Sequence, residues 1–419
     1  MKKTTKPVWA TPWSYRESFI IGFSLVFTGF FIEYITASKS GFALMFPDNI
    51  IFGIVYTVLL LLIYIFLQNR ALVKWLLSVP AAISLFVILI VLVMVMGIIP
   101  QDLNYGGKLI RSLGLNKISS NWAFLFIILV FLTSLGLVTI KRISNILNKK
   151  LDFNVKNISF VLSHFGLWFT VLVAFLGAGD IQIVRIKLDK QQPYNVAFDL
   201  NNNEFLLDFY IHLKEFKVEE YPPKLAIVDN KSGEVIHNNG KNLFEINDSL
   251  EYQFNDLNIK VEDYIYTSAP IGKKYAPVYQ PGSLPSAKVS VSGDSINKAG
   301  WISCGNFMYQ YQSLKINDDY SLLMTIPEVK HFESIVDLYS KEGVETDVSI
   351  EVNNLYDYKG YKIYQVDYDE GKGRWSTYST LELVKDPWLP FVYTGLGVLI
   401  FCSVILLLYG KQDSETKNL

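Results

Sequence analysis

The sequence has few of the residues from which most active sites and covalent cross-links are built. Its 419 residues include two cysteines, Cys304 and Cys402, so it has no disulfide framework, no Cys-x-x-Cys redox pair and no cysteine-rich zinc site. It has four histidines, and it lacks a Walker loop, a dinucleotide fingerprint, a nucleophile elbow and a His-Glu-x-x-His motif. We therefore expect no self-sufficient active site and assign no catalytic residue.

Charge is also scarce and unevenly spread. Only 18% of the residues are charged, below the roughly one quarter that is typical of soluble domains, whereas 51% are hydrophobic. The net charge of −1 offers no basic face for phosphates, which argues against a nucleic-acid partner. Long stretches before residue 180 contain no charged residue, so the sequence predicts a membrane region followed by a more polar domain.

Six apolar runs are long enough to cross a bilayer, whose core of about 30 Å requires roughly 20 residues of helix. They cover about 18–36, 51–68, 76–98, 122–140, 158–178 and 388–410. We predict an integral membrane α-helical bundle, with five helices in a membrane domain of residues 1–178. The sixth helix, 388–410, is followed by a tail of residues 411–419. No small-residue cleavage site follows the first run, which is therefore expected to be a retained helix.

The distribution of Lys and Arg predicts the orientation in the lipid bilayer. Thirteen of them lie at the termini and in the connections on one side, against four in the connections on the other side. The positive-inside rule then places both termini in the cytoplasm. Residues 179–387 are expected outside the cytoplasm, and the expected location is a bacterial inner (cytoplasmic) membrane.

Residues 179–387 have the pattern of an all-β domain. Segment 204–218 alternates apolar and polar residues with period two, as expected for a half-buried strand. Seven further short segments, rich in β-branched and aromatic residues, are separated by Gly, Pro, Asn and Asp: 224–229, 258–266, 286–292, 319–326, 346–353, 360–368 and 376–384. We predict a sandwich-like arrangement of antiparallel sheets, with one short helix near 328–334.

His164 in the fifth span is the main candidate for a binding residue. Ionisable groups within a bilayer are costly and usually face the protein interior with a partner. The imidazole could make an interhelical hydrogen bond, or it could ligate a metal or haem iron. Ser163 and Gly166 beside it are small, which would let another helix or a flat macrocycle approach. Glu33, near the end of the first span, is expected at the membrane interface.

The remaining histidines and Cys304 are predicted to be ordinary structural residues. His212, His237 and His331 show no ligand-like spacing and are expected at the surface or in turns. Cys304 has no basic neighbour in sequence that would lower its pKa, so it is expected to be a small buried residue and not a reactive thiol.

A set of motifs in matching order resembles the ResB (CcsB) family of System II cytochrome c biogenesis, over roughly residues 76–409. The motifs are Met96–Gln101, Ser120–Trp122, Ser163–Leu167, Asp208-Phe209, Glu220–Pro222, Val352-Asn353, Tyr358–Tyr361, Tyr364-Gln365, Tyr368-Asp369, Lys385–Pro387 and Val392–Gly395. Two features depart from the family: the first two spans are additional to its four-span core, and residues 230–310 match poorly.

The resemblance implies a subunit of a membrane complex that exports haem and attaches it to apocytochrome c outside the cytoplasm. It implies a non-self-sufficient part of a holocytochrome c synthase (haem lyase) that works with a ResC (CcsA)-type membrane subunit. It also implies that haem b is transported or transiently bound, with His164 as an axial ligand of the iron. Because the substrate thiols must be reduced and this chain has no thiol pair, a separate thiol-disulfide reductase is implied.

A second function, from a different class, is a membrane-anchored β domain that acts as a scaffold or sensor and binds no haem. A Soret band in the purified protein would favour haem handling, whereas a colourless preparation made with the partner present would favour the scaffold. A transporter is less favoured, because the sequence lacks signs of inverted repeats and of several intramembrane charges.

Overall fold

The computed structural model describes residues 12–36, 44–102, 105–236, 243–246, 251–254, 256–293 and 296–416. The chain divides into a helical unit, which ends at Ile181 and resumes at Asp386, and a β unit, Gln182–Lys385. The β unit is therefore inserted in sequence between the last two long helices.

Among the described residues, six helices are long and apolar enough to span a membrane, and two short helices lie between them. In chain order the helices are α1 (Tyr15–Thr36), α2 (Asp48–Leu67), α3 (Ala71–Leu76), α4 (Val79–Ile98), α5 (Lys108–Ser112), α6 (Trp122–Leu147), α7 (Val155–Gly177) and α8 (Leu389–Thr416). The predicted fold class, a six-span membrane protein with a large all-β insertion, is confirmed.

Helix bounds differ from the predicted apolar runs where local capping or polar ends decide them. The predicted run 76–98 is interrupted at Ser78, whose side chain accepts a hydrogen bond from the Ala81 amide at 3.4 Å and begins α4 with Pro80 in its first turn. Helix α6 continues past the predicted end at residue 140 to Leu147, through polar residues that the apolar run did not include.

Helix α7 carries His164 and packs against α8, α6 and α2. On the other side of α6, α4 packs against α1 and α6. Helix α6 therefore lies in contact with both α7 and α4.

The strands that the structure describes in the β unit pair antiparallel, in three sheets. The eight-stranded sheet has the order β14 (Gly343–Glu351), β13 (Val329–Ser340), β3 (Glu204–Glu220), β2 (Tyr194–Asp199), β1 (Gln182–Asp189), β17 (Tyr378–Lys385), β16 (Tyr361–Tyr368) and β15 (Tyr356–Tyr358). The five-stranded sheet consists of β10 (Ile296–Ser303), β9 (Leu284–Gly293), β7 (Leu257–Ile271), β6 (Glu251–Phe254) and β8 (Lys274–Pro277). The four-stranded sheet consists of β11 (Leu314–Lys315), β12 (Tyr320–Met324), β4 (Lys224–Asp229) and β5 (Phe244–Glu245).

The β unit has two apolar cores. One of them is lined by residues of the eight-stranded sheet, and an isolated bridge joins Glu351, at the end of β14, to Asn354 in the connection before β15. The other two sheets share the second core, as in a sandwich. The alternation predicted for segment 204–218 is confirmed, because Leu207, Phe209 and Ile211 of β3 are all buried.

The predicted short helix near 328–334 is wrong, because residues 329–334 belong to β13. Strand β13 pairs with β3 from Val329 to Tyr339 and with β14 on its other side. The pairing on both sides satisfies the backbone of this segment, and tertiary pairing of this kind overrides weak local helix propensity.

Candidate functional site

His164 lies in the first half of α7, about 13 Å along the helix from its start at Val155 at 1.5 Å per residue. Helix α7 begins at Val155 because the side chain of Asn154, the residue before it, accepts a hydrogen bond from the Asn157 amide at 2.9 Å. Asn157 also accepts a 2.6 Å hydrogen bond from the guanidinium of Arg142, which joins the end of α6 to the start of α7.

The His164 ring is held by its own helix. Its Nδ1 lies 2.9 Å from the carbonyl oxygen of Phe160, and the two rings stack with centroids 3.9 Å apart. Because a carbonyl can only accept, Nδ1 is the donor in this contact, and in a neutral imidazole the lone pair is then on Nε2. No hydrogen bond reaches Nε2 from the described part of the chain, and the side chain is half-buried.

The side of α7 toward α6 carries Phe160, His164 and Trp168 at intervals of one turn. The Arg142 guanidinium lies 4.7 Å from the centroid of the Phe160 ring. At the other end of the row, a Cβ at Gly136 of α6 would lie 3.0 Å from Trp168 Nε1, so this glycine allows the two helices to meet. Two buried donors flank the histidine without a hydrogen-bond partner among the described residues, Arg142 Nε and Trp168 Nε1.

The absence of a side chain at Gly166 allows helix α8 to approach α7 closely. A Cβ at Gly166 would lie 2.9 Å from the Leu399 backbone nitrogen and 3.0 Å from the Gly395 carbonyl oxygen of α8. Of the two occupants that its size would allow, α8 is the one that approaches this face. At about 100° per residue, His164 points about 200° away from Gly166, so the imidazole lies on roughly the opposite side of α7.

Glu33, expected at the membrane interface, lies near the end of α1, and its side chain is 2% exposed. It forms a 2.7 Å ion pair with Lys117, from the connection before α6. The second carboxylate oxygen, Oε2, is buried without a hydrogen-bond partner in the described structure. Sequence reasoning missed this pair because nothing local in the sequence connects the two residues.

The β unit contains an open cleft of about 970 Å³. Its polar wall is formed by Glu220 and Arg374, with Glu220 Oε2 3.7 Å from Arg374 Nη1 and both side chains largely buried. Burial raises the pKa of Glu220 above its ordinary range, although the Arg374 charge opposes the change. The Trp375 indole, which donates a 2.9 Å hydrogen bond to the Ser283 carbonyl, covers part of the wall.

Cys304 also borders this cleft and is half-buried. Burial raises the pKa of its thiol to about 11, so the group is a neutral thiol near neutral pH. His212 lies on β3, with Nε2 3.5 Å from the Lys190 carbonyl oxygen, and His237 lies outside the described residues. His331, expected to be an ordinary surface or turn histidine, lies beside two carboxylates on neighbouring positions of the eight-stranded sheet.

No protein-family model and no curated protein matches the chain. A solved structure of "Cytochrome c Heme Lyase CcmF" is a distant structural neighbour, with 10% sequence identity and a TM-score of 0.22. The match covers 95% of this chain and 46% of that chain, so this chain spans less than half the length of its neighbour. A TM-score this low carries no argument about the function of this chain.

Proposed function

We propose that this chain is a ResB (CcsB)-like subunit of a membrane complex that matures cytochrome c. In this proposal it works with a ResC (CcsA)-type subunit to pass haem b across the bilayer and deliver it to apocytochrome c outside the cytoplasm. The ordered motifs support the proposal, and so does the insertion of an all-β unit between the last two of six spanning helices.

The observation that carries the proposal is the way the His164 ring is held, with Nδ1 bonded to a carbonyl and Nε2 left without a hydrogen bond from the described residues. Metal-ligating histidines usually donate the second ring N–H to a carbonyl or carboxylate, which fixes the tautomer and the ring orientation. The Phe160 carbonyl accepts such a bond from Nδ1 at 2.9 Å, and the stacked Phe160 ring restricts rotation of the imidazole. The lone pair on Nε2 is thereby left available to iron in a region where an imidazole otherwise has few partners.

The surroundings of His164 fit haem as a cargo. Haem has a flat apolar body and two carboxylates, and the row of Phe160 and Trp168 offers apolar ring faces on either side of the histidine. Arg142 supplies a cation beside the row, with its Nε donor unpaired among the described residues. Bound haem would supply the iron and the vinyl groups, while this chain binds and orients it.

The proposed reaction needs a second axial ligand and a source of reduced thiols, and we assign both to partner proteins. A second axial ligand would come from the ResC (CcsA)-type subunit. Because Cys304 is a neutral, half-buried thiol without a cysteine partner in sequence, a separate thiol-disulfide reductase would keep the apocytochrome thiols reduced.

The test is His164→Ala in the full chain, purified together with the ResC (CcsA)-type subunit. We expect the variant to lose most of the co-purified haem and its Soret band and to stop holocytochrome c assembly. Added imidazole should partly restore both, because it can fill the vacated coordination position.

His212→Ala is the matched control, since it removes a histidine of the β unit and should leave haem content and assembly unchanged. Wild-type haem content with an unchanged Soret spectrum in His164→Ala would refute ligation. A wild-type complex that is colourless would instead favour the membrane-anchored scaffold.

A further inference from the structure

Three side chains of kinds that can ligate a metal meet on the outer face of the eight-stranded sheet. They are His331 and Glu333 of β13 and Glu351 of β14, and one ligand atom of each lies within 4.8 Å of the others. His331 Nε2 is 3.9 Å from Glu351 Oε2. All three side chains are half-buried, so water reaches the cluster while the sheet holds its backbone.

Strand geometry explains why these residues meet. His331 and Glu333 are two positions apart on β13, so both point to the same face of the sheet. Glu333 and Glu351 are direct partners in the antiparallel register of β13 and β14. The neighbouring residue Ser334 is buried on the opposite face, as this alternation requires.

A cation bound between the two carboxylates would relieve their mutual repulsion. Like charges directly opposite each other on a sheet are destabilising, and Glu333 and Glu351 occupy such positions. The Ser349 hydroxyl donates to Glu333 at 2.6 Å and orients it. Lys217 of β3 offers only partial compensation, because its ammonium lies 3.5 Å from Glu333 Oε1 and equally far from Glu215 Oε2.

We propose that His331, Glu333 and Glu351 bind a divalent transition-metal cation, with Zn²⁺ as the best fit to one imidazole and two carboxylates. Imidazole favours transition metals over Mg²⁺ and Ca²⁺, which prefer oxygen ligands. Zn²⁺ binds nitrogen and oxygen ligands at about 2.0–2.2 Å in tetrahedral geometry, which places its ligands roughly 3.4 Å apart. Small side-chain rotations bring the present separations to that value and leave a fourth position for water or a partner group.

The test uses the full-length chain without a polyhistidine tag, stripped of metal and titrated with Zn²⁺ against a chromophoric chelator. We expect one site that Ca²⁺ does not fill, and a zinc-dependent rise in melting temperature. Loss of an outer-shell partner usually lowers metal affinity about 10–100-fold, so His331→Ala and Glu351→Gln should each lower it at least as much. His212→Ala and Glu219→Gln are matched controls, because they remove a histidine and a nearby carboxylate outside the cluster.

Lys217→Met provides a test in the opposite direction. It removes the cation that competes for Glu333, so Zn²⁺ should bind more tightly. Wild-type affinity in His331→Ala would overturn the site, as would an equal loss in Glu219→Gln or equal displacement by Ca²⁺. The melting temperatures without Zn²⁺ show whether each variant is folded, so loss of binding can be separated from loss of structure.

Discussion

Two ionisable residues of the membrane helices obtain their partners in different ways. Glu33 is paired with Lys117 across the fold at 2.7 Å, and the pair compensates much of the desolvation of two charges. His164 instead bonds to Phe160 of its own helix, which uses one ring nitrogen and leaves the other available. The difference gives the carboxylate a structural partner, whereas the imidazole keeps one nitrogen for the ligand role that we propose.

Cys304 gives a prediction at the residue scale. Because burial raises its pKa to about 11 and the thiolate is the reactive form, alkylation by iodoacetamide should be slow near neutral pH and should accelerate as the pH approaches that value. A Cys402→Ser background isolates the reaction at Cys304. Rapid alkylation at neutral pH would contradict this expectation.

We also expect Cys304→Ser to leave cytochrome c maturation largely intact, because a lone thiol cannot run a dithiol cycle. Loss of holocytochrome at a normal protein level would contradict this second expectation.

At the scale of elements, the contact between α7 and α8 depends on glycine. A Cβ at Gly395 would lie 2.3 Å from Thr170 Oγ1 and 3.2 Å from the Thr170 nitrogen. A Cβ at Gly166 would meet α8 in the same way, so the two helices approach backbone to backbone. The motif Val392–Gly395 thus has a packing reason in this fold.

Gly395→Val should therefore separate the two helices. Overpacking of a close contact destabilises by about 1–3 kcal/mol, so we expect a lower melting temperature of the full chain in detergent and a lower yield of folded protein. Gly397→Val is the control on the same helix, since a Cβ there meets no atom within 4 Å. Equal stability of the two variants would show that the close approach is unnecessary.

For the whole molecule, the proposed function requires the β unit to lie outside the cytoplasm. The bias of thirteen Lys and Arg residues against four predicts this orientation. A reporter that works only in the cytoplasm should be active after Lys150, in the connection between α6 and α7. A reporter that works only outside should be active when inserted at Gly272, in the turn between β7 and β8. Activity of the opposite reporter at either site, at equal protein level, would overturn this topology.

The sequence by itself determined the features that depend on local composition. Hydropathy accumulates along a single helix, so six spans could be recognised from their apolar runs alone, with ends shifted by a few residues. Period-two alternation likewise identified the buried face of β3, because successive side chains of a strand point to opposite faces. His164 was selected as the candidate ligand because an imidazole is conspicuous in an apolar run.

Only the tertiary structure decided which distant residues meet. Lys117 reaches Glu33, and Arg142 lies over Phe160, through helix packing that no local pattern encodes. The cluster of His331, Glu333 and Glu351, proposed to bind a metal, depends on the register of β13 and β14, which places Glu333 opposite Glu351. The sequence around 328–334 did not indicate a strand. Registers and helix contacts are set by the packing of the whole core, so their energies are absent from any single segment.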